Sequence, residues 1–135
     1  MTKTTLSAIE CGRQMVKPGL RIFKIRAFSR FAGREGIGDA ALCDAMDRAR
    51  SSSVDADLGG GVIKQRIARK GGGRAGGFRT IVLFRRSDLA FFVYGFSKSD
   101  RENLRQDELE TFRRLADQYW RSTERVWRRR RRLER

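Results

Sequence analysis

Four short runs of this chain predict β-strands: in two of them apolar and polar residues alternate with a period of two, and the other two are almost wholly apolar, β-branched or aromatic. In the first run, Phe23, Ile25 and Ala27 fall on one face, and Lys24 and Arg26 on the other. The four predicted strands are 21–28 (RIFKIRAF), 62–68 (VIKQRIA), 78–84 (FRTIVLF) and 89–96 (LAFFVYGF). Because short, turn-rich links join the last three, we expect them to form an antiparallel meander.

Apolar residues recur at helical spacing in two other segments. The first predicted helix covers 40–50, with Asp39 placed to cap its first turn. The second covers roughly 100–120, where Asp107 and Glu110 either form a capping box or mark a break between two shorter helices. The apolar faces of the two helices are Leu42, Ala45, Met46 and Ala49, and Leu109, Phe112, Ala116 and Tyr119. Residues 31–38 are predicted to be a glycine-rich connection and 51–61 a loop.

The predicted element order is β-α-β-β-β-α, which favours a small α+β domain with an antiparallel sheet of about four strands and helices packed on it. With 135 residues, 39% of them hydrophobic, the chain is long enough for one domain with a modest core. We expect residues 1–20 to form a loose arm or one short helix, 21–120 the folded domain, and 121–135 a basic tail. The five arginines at 128–132 are expected to be solvated and mobile.

The composition of the chain restricts the partners and the kinds of catalytic site that can be expected. The chain has 31 Lys and Arg against 16 Asp and Glu, a formal net charge of +15, which indicates a polyanionic partner: a nucleic acid or an anionic membrane surface. It has no histidine, which excludes histidine acid–base catalysis and most zinc sites. Cys11 and Cys43 are far apart in sequence and are expected to stay reduced in the cytosol. No apolar run is long enough to span a membrane, and no signal peptide is expected.

A basic surface is predicted on the central strands, since no acidic residue lies between Leu58 and Ser87. Lys64 and Arg66 are two apart and therefore leave the same face of their strand. Arg79, in the next strand, is expected to be partly buried, a position that is unfavourable for a cation unless it meets an anion. Alternatively, Lys64 and Arg66 are ordinary exposed residues and Arg79 pairs with a carboxylate. The basic residues of this window are Lys64, Arg66, Arg69, Lys70, Arg74, Arg79, Arg85 and Arg86.

Two further features remain open to two interpretations each. Tyr94 and Phe96 offer ring faces for stacking RNA bases, or they belong to the core. The glycine-rich stretch Gly71–Gly77 is either an anion-binding nest of backbone N–H groups or a flexible hairpin tip, and it is not a Walker A loop.

Residues 59–104, which contain IKQRIAR, GGFRTIV and FVYGFSKSDREN, resemble the RelE/ParE superfamily of bacterial type II toxins, in its RelE-like or HigB-like branch. The resemblance extends less specifically from about Arg21 to Tyr119. It implies a compact, microbial-RNase-like RelE fold. It also implies a toxin that cleaves mRNA, in many members only on the ribosome, and that a cognate antitoxin holds inactive.

By position, the resemblance places catalytic roles on Lys64, Arg66, Arg79 and Lys98. Our hypothesis is that Arg66 and Arg79 bind the scissile phosphate, while Lys64 stabilises the 2′-alkoxide or transfers its proton. Lys98 or Arg101 then neutralises the leaving side or anchors the RNA. No cofactor or metal is implied. The expected RNA-binding residues are Arg69, Lys70, Arg74, Arg85, Tyr94, Phe96 and Arg101.

The expected partners are mRNA, the ribosome and a cognate antitoxin, which we expect to be a helix-turn-helix protein with an acidic segment that covers the basic face. No membrane partner is expected, and the expected location is the cytoplasm. The chain departs from the family in its C-terminal segment, which offers Tyr119 as a proton-transfer group but no histidine. The alternatives are a ParE-like toxin that inhibits gyrase without nuclease activity, a non-catalytic basic RNA-binding protein, or an inactive toxin.

Overall fold

The computed structural model describes residues 6–9, 20–51, 53–67, 77–85, 89–97 and 104–133, with side chains of the last segment described as far as Ser122. The chain forms a mixed sheet and three helices within these ranges. In chain order the elements are β1 (Leu6–Ile9), β2 (Arg21–Ile25), α1 (Arg26–Glu35), α2 (Asp39–Arg50), β3 (Ala56–Gly59), β4 (Val62–Ile67), β5 (Phe78–Arg85), β6 (Leu89–Ser97) and α3 (Gln106–Leu133). No helix in the described ranges is both long and apolar enough to cross a lipid bilayer.

The α+β class is confirmed, but the predicted four-stranded antiparallel sheet and the order β-α-β-β-β-α are wrong. The sheet has six strands in the order β1-β2-β6-β5-β4-β3. The predicted meander β4-β5-β6 is antiparallel. In contrast, β2 lies parallel to β6, with Arg21 opposite Leu89. A parallel pair needs a long connection, and α1, α2 and the intervening strands provide it.

The predicted bounds of β2 are wrong, and α1 is missed, because the strand-like alternation of residues 21–28 continues into the segment that forms a helix. The alternation of RIFKIRAF continues past the end of β2, yet the helix α1 begins at Arg26. Residues 31–35, predicted to be a connection, belong to α1 because Phe28 and Ala32 are buried one turn apart. The helix ends at Gly36, whose φ of 70° is the left-handed conformation typical of a helix C-terminus. Strands β1 and β3, with four residues each, are too short for the alternation to reveal.

Helices cover both faces of the sheet. On one face α1 and α2 pack Phe28, Leu42 and Met46 onto residues such as Ile63 and Phe92. On the other face α3 packs onto a second apolar cluster. The predicted apolar face of α3 is confirmed for Phe112, Ala116 and Tyr119, which all belong to this cluster. The fold is therefore a sheet between two helical layers, and each strand of the meander contributes apolar residues to both.

The ends of α2 and α3 differ from the prediction. Gly38, not Asp39, is the N-cap of α2, and the Asp39 carboxylate instead pairs with Lys24 Nζ at 2.9 Å. Helix α3 begins at Gln106, where Glu108 Oε1 accepts a hydrogen bond from the Arg105 backbone N–H at 3.0 Å, in place of the predicted Asp107–Glu110 box. The helix continues to Leu133, so the predicted boundary at residue 120 falls inside it and the stretch 128–132 is helical.

Cys43 is fully buried in α2 and is disulfide-bonded. The expectation of a reduced thiol is therefore wrong at this position, whereas Cys11 lies outside the described residues.

Helix α3 is held against the β3–β4 turn by two long side chains. Arg113 donates from Nε to the carbonyl oxygen of Leu58 at 2.9 Å, and its Nη2 donates to the same oxygen. Trp120 packs on Gly61, where a Cβ atom would lie 2.9 Å from the indole Nε1 and φ is 84°. Close packing of α3 on this turn therefore requires glycine at position 61.

Gly95→Ala tests how tightly α1 packs on the sheet. A Cβ atom on Gly95 would lie 2.3 Å from Cε1 of Phe31, so Gly95→Ala must displace that ring. We expect the free energy of unfolding to fall by about 1–3 kcal/mol, the usual range for overpacking a core. Urea denaturation measures the change.

Gly33→Ala is the matched control, because nothing lies within 4 Å of a Cβ at this exposed position of α1. We expect it to raise stability by up to about 1 kcal/mol through helix propensity. Equal stability of the two variants would show that the contact between Phe31 and Gly95 is not tight.

Candidate active site

Arg66 and Arg79 lie opposite each other on neighbouring strands, one residue from the end of the β4–β5 ladder. Opposite residues of an antiparallel pair project from the same face of a sheet, here the face that carries α3. The backbone N–H and C=O of Arg66 both form hydrogen bonds on the side of β4 that faces away from β5. This is therefore a non-hydrogen-bonded pair, in which the Cα atoms are about 4.5 Å apart and the side chains are closest.

The main chain of Arg66 extends beyond the end of β3 and is held by side chains instead. Ala56 is opposite Lys64, and β3 begins there, so no strand covers the edge of β4 at Arg66. Asp55 Oδ2 accepts a hydrogen bond from the Arg66 N–H at 2.5 Å. Arg48 Nη2 donates to the Arg66 carbonyl oxygen at 2.5 Å. Together, Asp55 and Arg48 replace the missing strand and fix the backbone from which the Arg66 guanidinium projects.

The fully buried side chain of Gln65 supports this arrangement from the opposite face of β4. Its Nε2 donates to the carbonyl oxygen of Ala45 in α2 at 2.8 Å, and its Oε1 accepts from the Asp55 backbone N–H at 2.7 Å. Gln65 thus joins α2, the turn before β3 and β4. Because buried amides are costly unless they are bonded, these contacts make the position of Asp55 depend on a residue in the core.

A cleft of about 300 Å³ opens beside this pair of arginines. The lining contains three arginines and two aspartates, and only one of the arginines pairs with the aspartates. Arg48 lies 3.5 Å from Asp44 and 3.8 Å from Asp55, so both carboxylates are occupied by Arg48. Among the described residues, no ion pair involves the guanidinium of Arg66 or Arg79. The cleft is lined by Asp44, Arg48, Asp55, Arg66, Ile67, Gly77 and Arg79.

The remaining predicted residues of the meander are in different surroundings. Lys64 is half-buried and leaves the same face of β4 as Arg66, two pairs further from the strand end. Tyr94 is half-buried, diagonal to Arg79, and its ring lies 5.6 Å from that of Phe112. Phe96 lies opposite Arg79 but is only 4% exposed, in the core cluster beneath α3. The structure thus favours the core alternative for Phe96, because a base cannot stack on a covered ring.

Arg85 is at the far end of the sheet. It lies six residues along β5 from Arg79, about 20 Å away at the usual rise per residue. Its guanidinium is 5.8 Å from the centre of the Trp120 ring. Arg85 is therefore not part of the cleft. The other predicted RNA-binding and catalytic residues lie outside the described residues: Arg69, Lys70, Arg74, Lys98 and Arg101.

Sequence reasoning missed the supporting residues Asp44, Arg48 and Asp55, because they come from α2 and from a segment predicted to be a loop. Only Gln65 carries a signal in the sequence. It is a polar residue between Ile63 and Ile67, at a position where the alternation of β4 points into the core. Such a residue must find buried partners, but the sequence does not say which.

Tyr119, which the C-terminal segment offers as a candidate for proton transfer but whose spacing favours the core, is not near the cleft. Its ring packs edge-on against Phe91 at 4.9 Å, in the cluster between α3 and the sheet. Within the described residues, no three carboxylate or thiol side chains gather as a metal site. The chemistry of this cleft consists of fixed positive charge beside paired carboxylates, an arrangement suited to binding a phosphate diester.

Asp55→Ala tests the support of Arg66. The variant loses the acceptor for the Arg66 N–H and one partner of Arg48, and the Asp55 side chain is only 26% exposed. We expect the free energy of unfolding to fall by about 1–3 kcal/mol. In Asp44→Ala the carboxylate removed is 63% exposed and pairs with Arg48 one turn away, so we expect a loss below about 1 kcal/mol. Comparable losses in urea denaturation would contradict the proposed role of Asp55.

Comparison with known proteins identifies the family of the chain. No curated protein matches the chain closely enough to be reported as a relative. The family described as "RelE toxin of RelE / RelB toxin-antitoxin system" matches residues 20–129, which include the whole sheet from β2 onwards and most of α3. The match covers most of the chain, and the chain therefore belongs to the RelE toxin family.

Proposed function

We propose that the protein is the toxin of a type II toxin–antitoxin system and acts as a metal-independent mRNA endoribonuclease. The observation that carries this proposal is the Arg66–Arg79 pair: two cations on facing positions of a rigid sheet, with no carboxylate partner in the described structure. Like charges at facing positions of a ladder repel each other. A bound phosphate relieves that repulsion, so the pair suits an anionic substrate better than it suits the isolated fold.

The proposed reaction needs no imidazole. The 2′-oxygen attacks the adjacent phosphorus, the P–O5′ bond breaks, and negative charge develops on the non-bridging oxygens in the transition state. Arg66 and Arg79 donate hydrogen bonds to those oxygens, a contribution that grows as the charge develops. The two arginines are proposed to act by electrostatic stabilisation and positioning and to transfer no proton.

Lys64 is proposed to stabilise the 2′-alkoxide or to take its proton, because it leaves the same face of β4. Lys98 and Arg101 remain proposed contacts to the leaving side of the RNA, as do Arg69, Lys70 and Arg74 to its backbone. Tyr94 remains the proposed stacking ring. We propose the ribosome as the place of cleavage, as the family resemblance implies for many members, and the cytoplasm, where mRNA is translated, as the location of the protein.

The family implies an antitoxin partner. We propose that this partner is a helix-turn-helix protein with an acidic segment over the basic face. A net charge of +15 favours rapid association with such a segment through electrostatic steering.

Arg79→Ala and Arg66→Ala test the proposed activity. On induction of the toxin alone, the wild type is expected to arrest growth and to cut mRNA within translated codons. Each variant should lower cleavage at least about 100-fold, the effect of removing one oxyanion donor, while the fold stays intact. Mapping of mRNA 5′ ends measures the cuts, and urea denaturation checks the fold.

Arg114→Ala is the matched control, because Arg114 is an exposed arginine on α3 and its loss changes the net charge equally. It should keep full cleavage. Full cleavage by both active-site variants would refute the site. Intact messages together with DNA damage in the wild type would identify a gyrase inhibitor, and RNA binding without cuts would identify a non-catalytic RNA-binding protein.

A further inference from the structure

Helix α1 carries a second cluster of cations, which the proposed reaction does not use. Arg26, Arg30 and Arg34 are all exposed. They recur every four residues, so they lie on one side of the helix about 6 Å apart along its axis. We call these three residues the α1 arginine stripe.

Within the described ranges, no carboxylate neutralises the stripe. Among the described residues, no ion pair or hydrogen bond involves the guanidinium groups of its three members. Glu35 is the one acidic residue of α1, and it follows Arg34 directly, a spacing at which two helical side chains do not face each other. The nearby Asp39 is occupied by Lys24.

Three other arginines have carboxylate partners: Arg48 pairs with Asp44 and Asp55, Arg105 with Asp107 and Glu108, and Arg121 with Asp117. Arg114 on α3 is exposed, and no ion pair of the described residues involves it. The stripe differs from Arg114 because three such arginines lie side by side on one helix, and within the described residues it shares its lack of carboxylate partners with the Arg66–Arg79 pair.

The stripe is unfavourable for the isolated helix in two ways. Like charges four residues apart repel, and α1 contains two such pairs. Arg26 lies in the first turn, where the helix dipole disfavours a cation, and this turn has neither an acidic residue nor a side-chain N-cap. No contact in the described structure offsets these effects, whereas an external anion with several charges would reverse both.

The surface between the arginines fits a polyphosphate better than a protein. The other exposed residues on this side of α1 are Ala27 and Gly33, and nothing lies within 4 Å of a Cβ atom built at Gly33. Protein interfaces depend on apolar or aromatic anchors at their centre, and this surface offers none. Contacts with a nucleic-acid backbone need only a row of cations that the backbone can approach closely.

The stripe and the Arg66–Arg79 pair belong to opposite faces of the sheet, although the wall of the cleft also includes Asp44 and Arg48 of α2. Phe28 and Ala32 of α1 pack into the cluster that contains Ile63 and Ile67, whereas Lys64, Arg66 and Arg79 leave the other face. A phosphate held by Arg66 and Arg79 is therefore on the other face of the sheet from the helix that carries the stripe.

We propose that the α1 arginine stripe is a second RNA-binding surface, which contacts the phosphate backbone of a folded, double-helical RNA while the cleft receives the strand that is cut. The choice of RNA over DNA rests on the proposed function. The contact is independent of base sequence, because guanidinium groups bound to phosphates do not read bases.

The test compares two triple variants that lower the net charge equally. The first is Arg26→Ala, Arg30→Ala and Arg34→Ala, and the control is Arg105→Ala, Arg114→Ala and Arg121→Ala on α3. The probe is a synthetic RNA stem-loop, and its affinity is measured over a range of salt concentrations. The plot of log K against log salt has a negative slope. Loss of three phosphate contacts should make this slope less steep by about 2–3 in the stripe variant, and by less than about 1 in the control.

The stripe variant should also bind the stem-loop at least about tenfold more weakly at moderate salt. It should unfold at an equal or higher urea concentration than the wild type, since alanine removes the repulsion and favours the helix. A lower midpoint would mean that the arginines support the fold. Equal losses of affinity in both triple variants would show an effect of net charge only and would overturn the proposal. Unchanged RNA affinity in the stripe variant would also overturn it, as would a stripe variant that loses only antitoxin binding.

The double variant Arg66→Ala and Arg79→Ala separates this proposal from the proposed function. It should bind the stem-loop within about threefold of the wild type while cleavage is lost, because duplex contacts through the stripe do not involve the cleft. A large loss of stem-loop binding in this variant would place the duplex in the cleft and contradict a second surface. If the wild type does not cleave RNA, the binding comparison of the two triple variants still decides the role of the stripe.

Discussion

Two guanidinium groups face each other across the β4–β5 ladder, and their mutual repulsion is the constraint on which the site depends. The register of the ladder places Arg66 opposite Arg79, so the two charges are kept close by the backbone and not by the side chains. The nearby carboxylates Asp44 and Asp55 are bound to Arg48 and do not neutralise the pair. A protein that keeps two cations in this position gains a rigid site for an anion at the expense of some stability.

The rest of the fold keeps this end of the sheet both rigid and accessible. Asp55 and Arg48 complete the hydrogen bonding of β4 where β3 no longer covers it, and buried Gln65 fixes the turn that carries Asp55. Helix α3 is held over the other end by Arg113 at the β3–β4 turn. Apolar burial extends to this end of the sheet through Ile67, Phe78 and Phe96, and the polar contacts of Asp55, Arg48 and Gln65 position Arg66 there.

The sequence predicts the parts of this structure that repeat a simple period. The meander follows from three strand-like runs joined by short links, and the alternation of β4 places Lys64 and Arg66 on one face and Ile63 on the other. The parallel β2–β6 pair could not be predicted, since pairing between distant strands leaves no local pattern. The same holds for Arg48 and Asp55, whose role depends on where β3 ends. The unneutralised charge of Arg26 and its neighbours is visible only once the helix and its partners are known.

The central claim is that Arg66 and Arg79 together hold the scissile phosphate, and a structure of the toxin with RNA tests it most directly. An RNA with a 2′-O-methyl group at the cleavage site binds but lacks the attacking hydroxyl, so the ground-state complex is stable. The account predicts that both guanidiniums donate hydrogen bonds to non-bridging oxygens of that phosphate, at about 2.7–3.2 Å. A scissile phosphate bound elsewhere, with neither Arg66 nor Arg79 in hydrogen-bonding contact, would contradict it.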